Sequence, residues 1–139
     1  MKTEELYTMI QQKPVILDGA TGSNLQKVGM KPGVCPEEWI LENEDKLIDL
    51  QKSFVEAGTN ILYAPTFSGN RVKLEEYGLA DRAEEINKRL VGLSKRAAGD
   101  KALVAGDMTM TGVVLEPVGP MKLEALINIY KEQAKYLLE

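Results

Sequence analysis

The chain has 139 residues, a formal net charge of −4, an isoelectric point near 5.0, 44% hydrophobic and 27% charged side chains, which suits one compact domain and excludes a disordered polypeptide. Lys and Arg are interspersed with Glu and Asp, so no basic field gathers nucleic acid or anionic lipid. No apolar run approaches the roughly 18 to 20 residues of a membrane span, and Met1-Lys2-Thr3-Glu4-Glu5 lacks a signal-peptide pattern, so a cytoplasmic protein is expected.

In chain order, Thr3 is a candidate cap for a short opening helix with Leu6, Met9 and Ile10 on one side, ending before Pro14. It is expected to cover the bottom of a sheet or barrel. Val15 to Leu17 reads as a strand buried on both faces, followed by a helical turn over 21–28 and a loop over 29–33. Pro36 opens a turn of helix containing Trp39 and Ile40. Asn43 is a candidate N-cap for a helix that places Leu47, Leu50, Phe54 and Val55 inward and stops at Ala57-Gly58.

A second strand is expected over Asn60–Tyr63, leaving through Ala64-Pro65-Thr66-Phe67-Ser68-Gly69. A short helix over 70–77 and a longer one over 81–97 follow, the second with Ala83, Ile86, Leu90 and Leu93 inward and Gly99 as its stop. The third strand is Ala102–Ala105, with Asp107, Thr109 and Thr111 in its exit loop. The last helix presents Leu123, Leu126, Ile127, Tyr130, Ala134 and Leu137 on one face and reaches Glu139 without a stop signal, where another strand is expected next. Three strand-loop-helix units in succession define an α/β architecture whose ligands bind at the carboxyl ends of the strands.

Histidine is absent and Cys35 is the only cysteine. The commonest near-neutral base is therefore missing, and neither an internal disulfide nor a multi-cysteine metal site can be built from this chain alone. After the first strand, Asp18 stands beside the backbone amides of Gly19, Ala20 and Thr21. Such a loop can hold the ammonium of an amino-acid-like ligand on the carboxylate and its carboxylate on the amides; equally, Asp18-Gly19 is a tight turn and Thr21 a helix cap. The loop is neither a Walker loop nor a dinucleotide fingerprint. Thr66, Phe67 and Ser68 supply hydroxyls and an aromatic wall at the second exit, or else Phe67 packs into the core and the hydroxyls serve a turn. Cys35 is expected to be an ordinary thiol, Trp39 a packing residue, and the Glu75-Glu76 and Glu84-Glu85 pairs solvated helix faces.

Taken together, Ile16-Leu17-Asp18-Gly19-Ala20-Thr21-Gly22-Ser23-Asn24-Leu25, Pro36-Glu37-Glu38-Trp39, Glu56-Ala57-Gly58-Thr59-Asn60, Thr66-Phe67, Asn70-Arg71-Val72-Lys73-Leu74-Glu75-Glu76-Tyr77-Gly78-Leu79 and Val104-Ala105-Gly106 leading to Thr111-Gly112 resemble the homocysteine S-methyltransferase domain. That domain stands at the front of cobalamin-dependent methionine synthase and also forms betaine-homocysteine methyltransferase. The resemblance implies a (β/α)8 TIM barrel, of which residues 1–139 would be the first three βα units, since such a barrel needs roughly 250 residues. It implies homocysteine as substrate, with Asp18, Gly19, Ala20 and Thr21 at its amino-acid end and Thr66, Phe67 and Ser68 lining the pocket. It also implies zinc and cobalamin, or another methyl donor, for the full-length parent.

The family's zinc-binding cysteines belong to later strands, and Cys35 matches none of them. No catalytic residue, metal ligand or bound cofactor is therefore expected in this segment, which would be inactive alone. Pro65, in place of an asparagine common before Thr-Phe, and Asp107-Met108-Thr109-Met110 depart from the family pattern. Two alternatives stand beside this reading. One is a non-catalytic folding or assembly fragment that self-associates through open edges; the other is a related barrel methyltransferase acting on another thiol or corrinoid substrate.

Overall fold

The computed structural model describes residues 3–138. Among these residues, seven α-helices and two strands follow one another as α1 (Thr3–Gln12), α2 (Gly22–Lys27), α3 (Pro36–Glu42), α4 (Glu44–Glu56), β1 (Ile61–Ala64), α5 (Arg71–Glu75), α6 (Ala83–Ala98), β2 (Leu103–Gly106) and α7 (Leu123–Leu138), with a 3-10 turn at Ala80–Arg82 before α6. β1 and β2 pair in parallel, Ile61 opposite Leu103 through Ala64 opposite Gly106. α6 crosses between them, so β1-α6-β2 is a complete βαβ unit.

The helices cover one face of this sheet. Leu62 and Ala64 are fully buried on that face, whereas Tyr63 between them remains 38% exposed on the other. Alternation along the strand therefore separates a core face from an open face. The core lies where α6 packs against α4, α3 and α7. Leu47 of α4 and Ile86 and Leu90 of α6 are fully buried there, with Leu93 close behind. Each such side chain contributes about 1.5–3 kcal/mol relative to exposure. Trp39, Leu50 and Tyr136 pack around the same cluster, and Phe54 and Val55 close a smaller one around Leu62, Ala97 and Ala98. The expected inward residues of α4 and α6 are thus in place.

Local signals explain several boundaries. Pro36 occupies the first turn of α3, where its missing N–H costs nothing. Asn70 caps α5 by accepting from the Lys73 N–H at 3.0 Å, a bond worth about 1 kcal/mol. Asn43 does precede α4, but its side chain donates back to the Trp39 carbonyl at 2.8 Å and does not cap the helix. The acidic pairs behave as solvated helix faces: Glu76 meets Lys73, Glu84 meets Lys88, and Glu85 meets Arg82 and Arg89.

Three expectations need correction. Val15–Leu17 is not a full strand buried on both faces. Only Leu17 bridges to Ile61, with Asn60 and Ile61 N–H groups donating to the Ile16 carbonyl and Asp18 N–H to the Ile61 carbonyl. The segment lies beside β1 in the position of a first strand, yet Ile16 and Leu17 are 55% and 46% exposed because nothing among the described residues covers them. α1 buries none of its residues, so it covers no sheet in the described structure. The apolar face expected on α7 is only partly used: Leu123 and Ile127 are exposed, and the buried residue of that helix is Gln133. The end of the last helix at Glu139 lies outside the described residues.

Candidate functional site

A cavity of about 340 Å³ opens at the carboxyl end of β1, between the loops that follow Leu17, β1 and β2 and the start of α3. Asp18, Gly19, Thr21, Tyr63, Phe67, Ser68, Glu37 and Asp107 all line it, over an apolar floor that includes Leu25 and Ile40. Among the described residues, no Lys or Arg belongs to the wall. The Asp18, Glu37 and Asp107 carboxylates give the lining a negative character that favours a cationic group over an anion.

Asp18 is placed by the sheet itself. Its backbone N–H donates to the Ile61 carbonyl at 3.2 Å, and its Oδ2 accepts from the Tyr63 N–H at 3.0 Å. The half-buried carboxyl is raised from its ordinary value, first by desolvation and also by repulsion from Asp107, with the Tyr63 N–H pulling the other way. A cationic group brought into the cavity would favour its charged form.

Gly19 lets the chain pass the ring of Phe54, because a Cβ there would stand 3.0 Å from Phe54 Cε1. Among the described residues, no backbone carbonyl accepts from the Gly19, Ala20 or Thr21 N–H groups, which leaves these donors available. Ala20 is not on the cavity wall; its carbonyl accepts from Asn24 Nδ2 at 2.7 Å. Thr21 precedes α2 without a side-chain capping bond.

At the β1 exit, Phe67 is 54% exposed at the cavity and is not a core residue. Thr66 takes the opposite role. It is fully buried and off the wall, donating from Oγ1 to the Asp107 carbonyl at 2.8 Å and accepting the Asp107 N–H at 3.0 Å. Its hydroxyl ties the two strand-exit loops together. Behind the same loop, Gln133 Nε2 donates to the Thr66 carbonyl at 2.9 Å and Asn87 Nδ2 to the Gly69 carbonyl at 2.7 Å. A Cβ on Gly69 would lie 2.6 Å from Asn87 Oδ1, so glycine is needed for this approach.

Glu37, which sequence reading left out of the site, is 2% exposed. Its Oε1 accepts from the Ser68 N–H at 2.8 Å and its Oε2 from the Cys35 thiol at 3.5 Å. Burial raises the Glu37 carboxyl above its ordinary value against the opposing pull of these bonds, and burial pushes the Cys35 thiol up to about 11. Cys35 is therefore a protonated donor at neutral pH. The sequence signal was faint, since an acidic residue after a proline is ordinary helix-start chemistry. Asp107 was visible as a polar residue in a strand-exit loop, and only the fold brings it opposite Asp18.

The Glu37 shift gives a pH prediction. A carboxyl raised in the folded state binds protons more tightly there than in the unfolded chain, so its contribution to stability falls as pH rises from the ordinary glutamate range through its raised value. Glu37→Gln should therefore gain stability relative to the wild type across that interval, while the two stay parallel below it. Urea unfolding at a series of pH values reads the difference, and a pH-independent offset would contradict a Glu37 carboxyl raised by burial.

The family model for homocysteine S-methyltransferase matches residues 15–139, which include every cavity-lining side chain. The chain belongs to this family. Methionine synthase of Mycobacterium tuberculosis is 25% identical over 147 residues, 97% of this chain and 12% of that protein. S-methylmethionine–homocysteine S-methyltransferase BHMT2 of Pongo abelii is 32% identical over 101 residues, 71% of this chain and 26% of that protein. The metallated form of the homocysteine methyltransferase MmuM from Escherichia coli aligns with a TM-score of 0.77 at 17% identity, over 96% of this chain and 53% of that one. The chain thus spans about half the length of this structural relative and about a quarter or less of the two proteins named before it. The small parallel sheet with helices on one face accords with part of that fold.

Proposed function

We propose that the chain supplies the homocysteine-recognition loops of a homocysteine S-methyltransferase of methionine synthase type, built as the first three βα units of a (β/α)8 barrel. The observation that carries this reading is the cavity at the β1 exit, where, among the described residues, carboxylates without a basic partner stand beside unoccupied backbone donors. Asp18 would take the ammonium of homocysteine, the Gly19 and Thr21 amides its carboxylate, and Tyr63 and Phe67 would flank its side chain. The reaction of the whole protein would form a sulfur–methyl bond on homocysteine to give methionine. A cytoplasmic location goes with this reading.

Zinc and cobalamin are the parent's expected cofactors, and this chain's residues do not fit a zinc-thiolate site. Cys35 is its one cysteine, buried and hydrogen-bonded to Glu37. Among the described residues, no group of three or more His, Cys, Asp or Glu side chains is placed to hold a metal ion. The chain alone is therefore expected to bind homocysteine without turning it over. Calorimetric titration with L-homocysteine should give one site per chain; heat no greater than that of dilution at millimolar ligand would reject the reading.

Self-association is a second expectation. Exposed Ile16, Leu17, Val114, Val118, Leu123 and Ile127 favour it, since large apolar side chains at open edges promote contact between copies. Size-exclusion chromatography with light scattering should find dimers or larger species at low micromolar concentration, and a clean monomer would contradict it.

A further inference from the structure

The loop that carries Phe67 and Ser68 is held at its two ends, by Asp107 at the Thr66 hydroxyl and Gln133 at the Thr66 carbonyl, and by Asn87 at the Gly69 carbonyl. Among the described residues, the stretch between these anchors has one further tether, and it comes from the cavity side. Glu37, 31 residues earlier in the chain at the start of α3, accepts the Ser68 N–H at 2.8 Å.

Three features distinguish this contact from ordinary packing. The acceptor is a carboxylate, although a neutral amide oxygen would hold an N–H with a far smaller desolvation penalty. Its second oxygen is engaged by the Cys35 thiol at 3.5 Å, which leaves the carboxylate little freedom to rotate. The side chain lines the cavity with Asp18 and Asp107, yet at 2% exposure it offers a ligand almost no surface. It acts through what it holds.

We propose that Glu37 is a positioning residue for substrate recognition: by fixing the Ser68 N–H it sets the Phe67 ring and the Ser68 side chain at the cavity mouth. The bond stands independently of the ligand's identity, and only its effect on affinity rests on the homocysteine reading. Glu37→Gln keeps an oxygen acceptor for Ser68 and turns its new NH2 group toward the weakly accepting Cys35 sulfur. Glu37→Ala removes the acceptor.

The test combines residue-resolved amide exchange with L-homocysteine titration of the 139-residue chain. In Glu37→Ala the Ser68 amide should exchange at least tenfold faster, with the Gly69 amide, which donates to the Thr66 carbonyl, unchanged. The same variant should bind L-homocysteine about tenfold more weakly. Glu37→Gln should restore both values to within about twofold of the wild type, a rescue that general loss of packing would not give. Unchanged Ser68 exchange in Glu37→Ala, or equal defects in both variants, would overturn the assignment. Absence of homocysteine binding by the wild type would reject the ligand reading, while the Ser68 exchange would still decide the role of Glu37.

Discussion

Asp18→Asn is expected to weaken L-homocysteine binding by about 2 kcal/mol, roughly thirtyfold, the scale of a charge-assisted hydrogen bond. Asparagine preserves an oxygen that can accept the Tyr63 N–H, so the bridge between the first segment and β1 is retained. What it removes is the charge facing the cavity. Asp18→Ala removes both and should bind still less tightly. In the complete parent domain, either change should leave zinc content intact, because Asp18 is a substrate-orienting group in this reading. Calorimetry on the variants measures the effect; unchanged affinity in Asp18→Asn would remove Asp18 from the site.

Asn87→Ala should cost about 3 kcal/mol of folding stability, among the larger effects of a single substitution away from the apolar core. Its side chain is fully buried in α6. The amide donates to the Gly69 and Ala83 carbonyls, each at 2.7 Å, and accepts from Gln133 at 3.3 Å. Removing it leaves the Gly69 carbonyl and part of the Gln133 amide without partners in the interior. Because Gln133 also holds the Thr66 carbonyl, the damage should reach the β1 exit loop. Urea denaturation should show a lower midpoint with an unchanged slope; a loss below about 1 kcal/mol would mean that the network contributes little.

The contrast between Asn87 and its neighbours shows where sequence patterning is informative. Ile86, Leu90 and Leu93 recur at helical spacing and are buried on α6 as that spacing requires. Asn87 lies on the same buried face, but a polar residue in an apolar stripe gives no sign of its distant partners, a loop 18 positions earlier and a helix 46 positions later. Gln133 is hidden by the same rule. The apolar residues of α7 suggested a core face, whereas the buried contact is made by this polar side chain and Leu123 and Ile127 stay exposed.

The site was legible in a similar, partial way. Placing Asp18 and Phe67 at strand exits followed from the βα pattern, and both line the cavity. Thr66 was named beside Phe67, but its direction depends on the bond to Asp107, 41 residues away. Glu37 required knowledge that α3 turns its first residues toward the β1 exit, a tertiary fact with no periodic signature. Val15–Leu17 had the composition of a buried strand, and composition alone does not provide the second neighbour and covering layer that burial requires.

The central claim is that the cavity at the β1 exit recognises homocysteine. Titrating the isotopically labelled chain with L-homocysteine while following every backbone amide tests it most directly. Saturable shifts should concentrate at Gly19, Ala20, Thr21, Tyr63 and Ser68, the loop amides and their immediate supports. Saturable shifts centred elsewhere, or none at millimolar ligand, would contradict it.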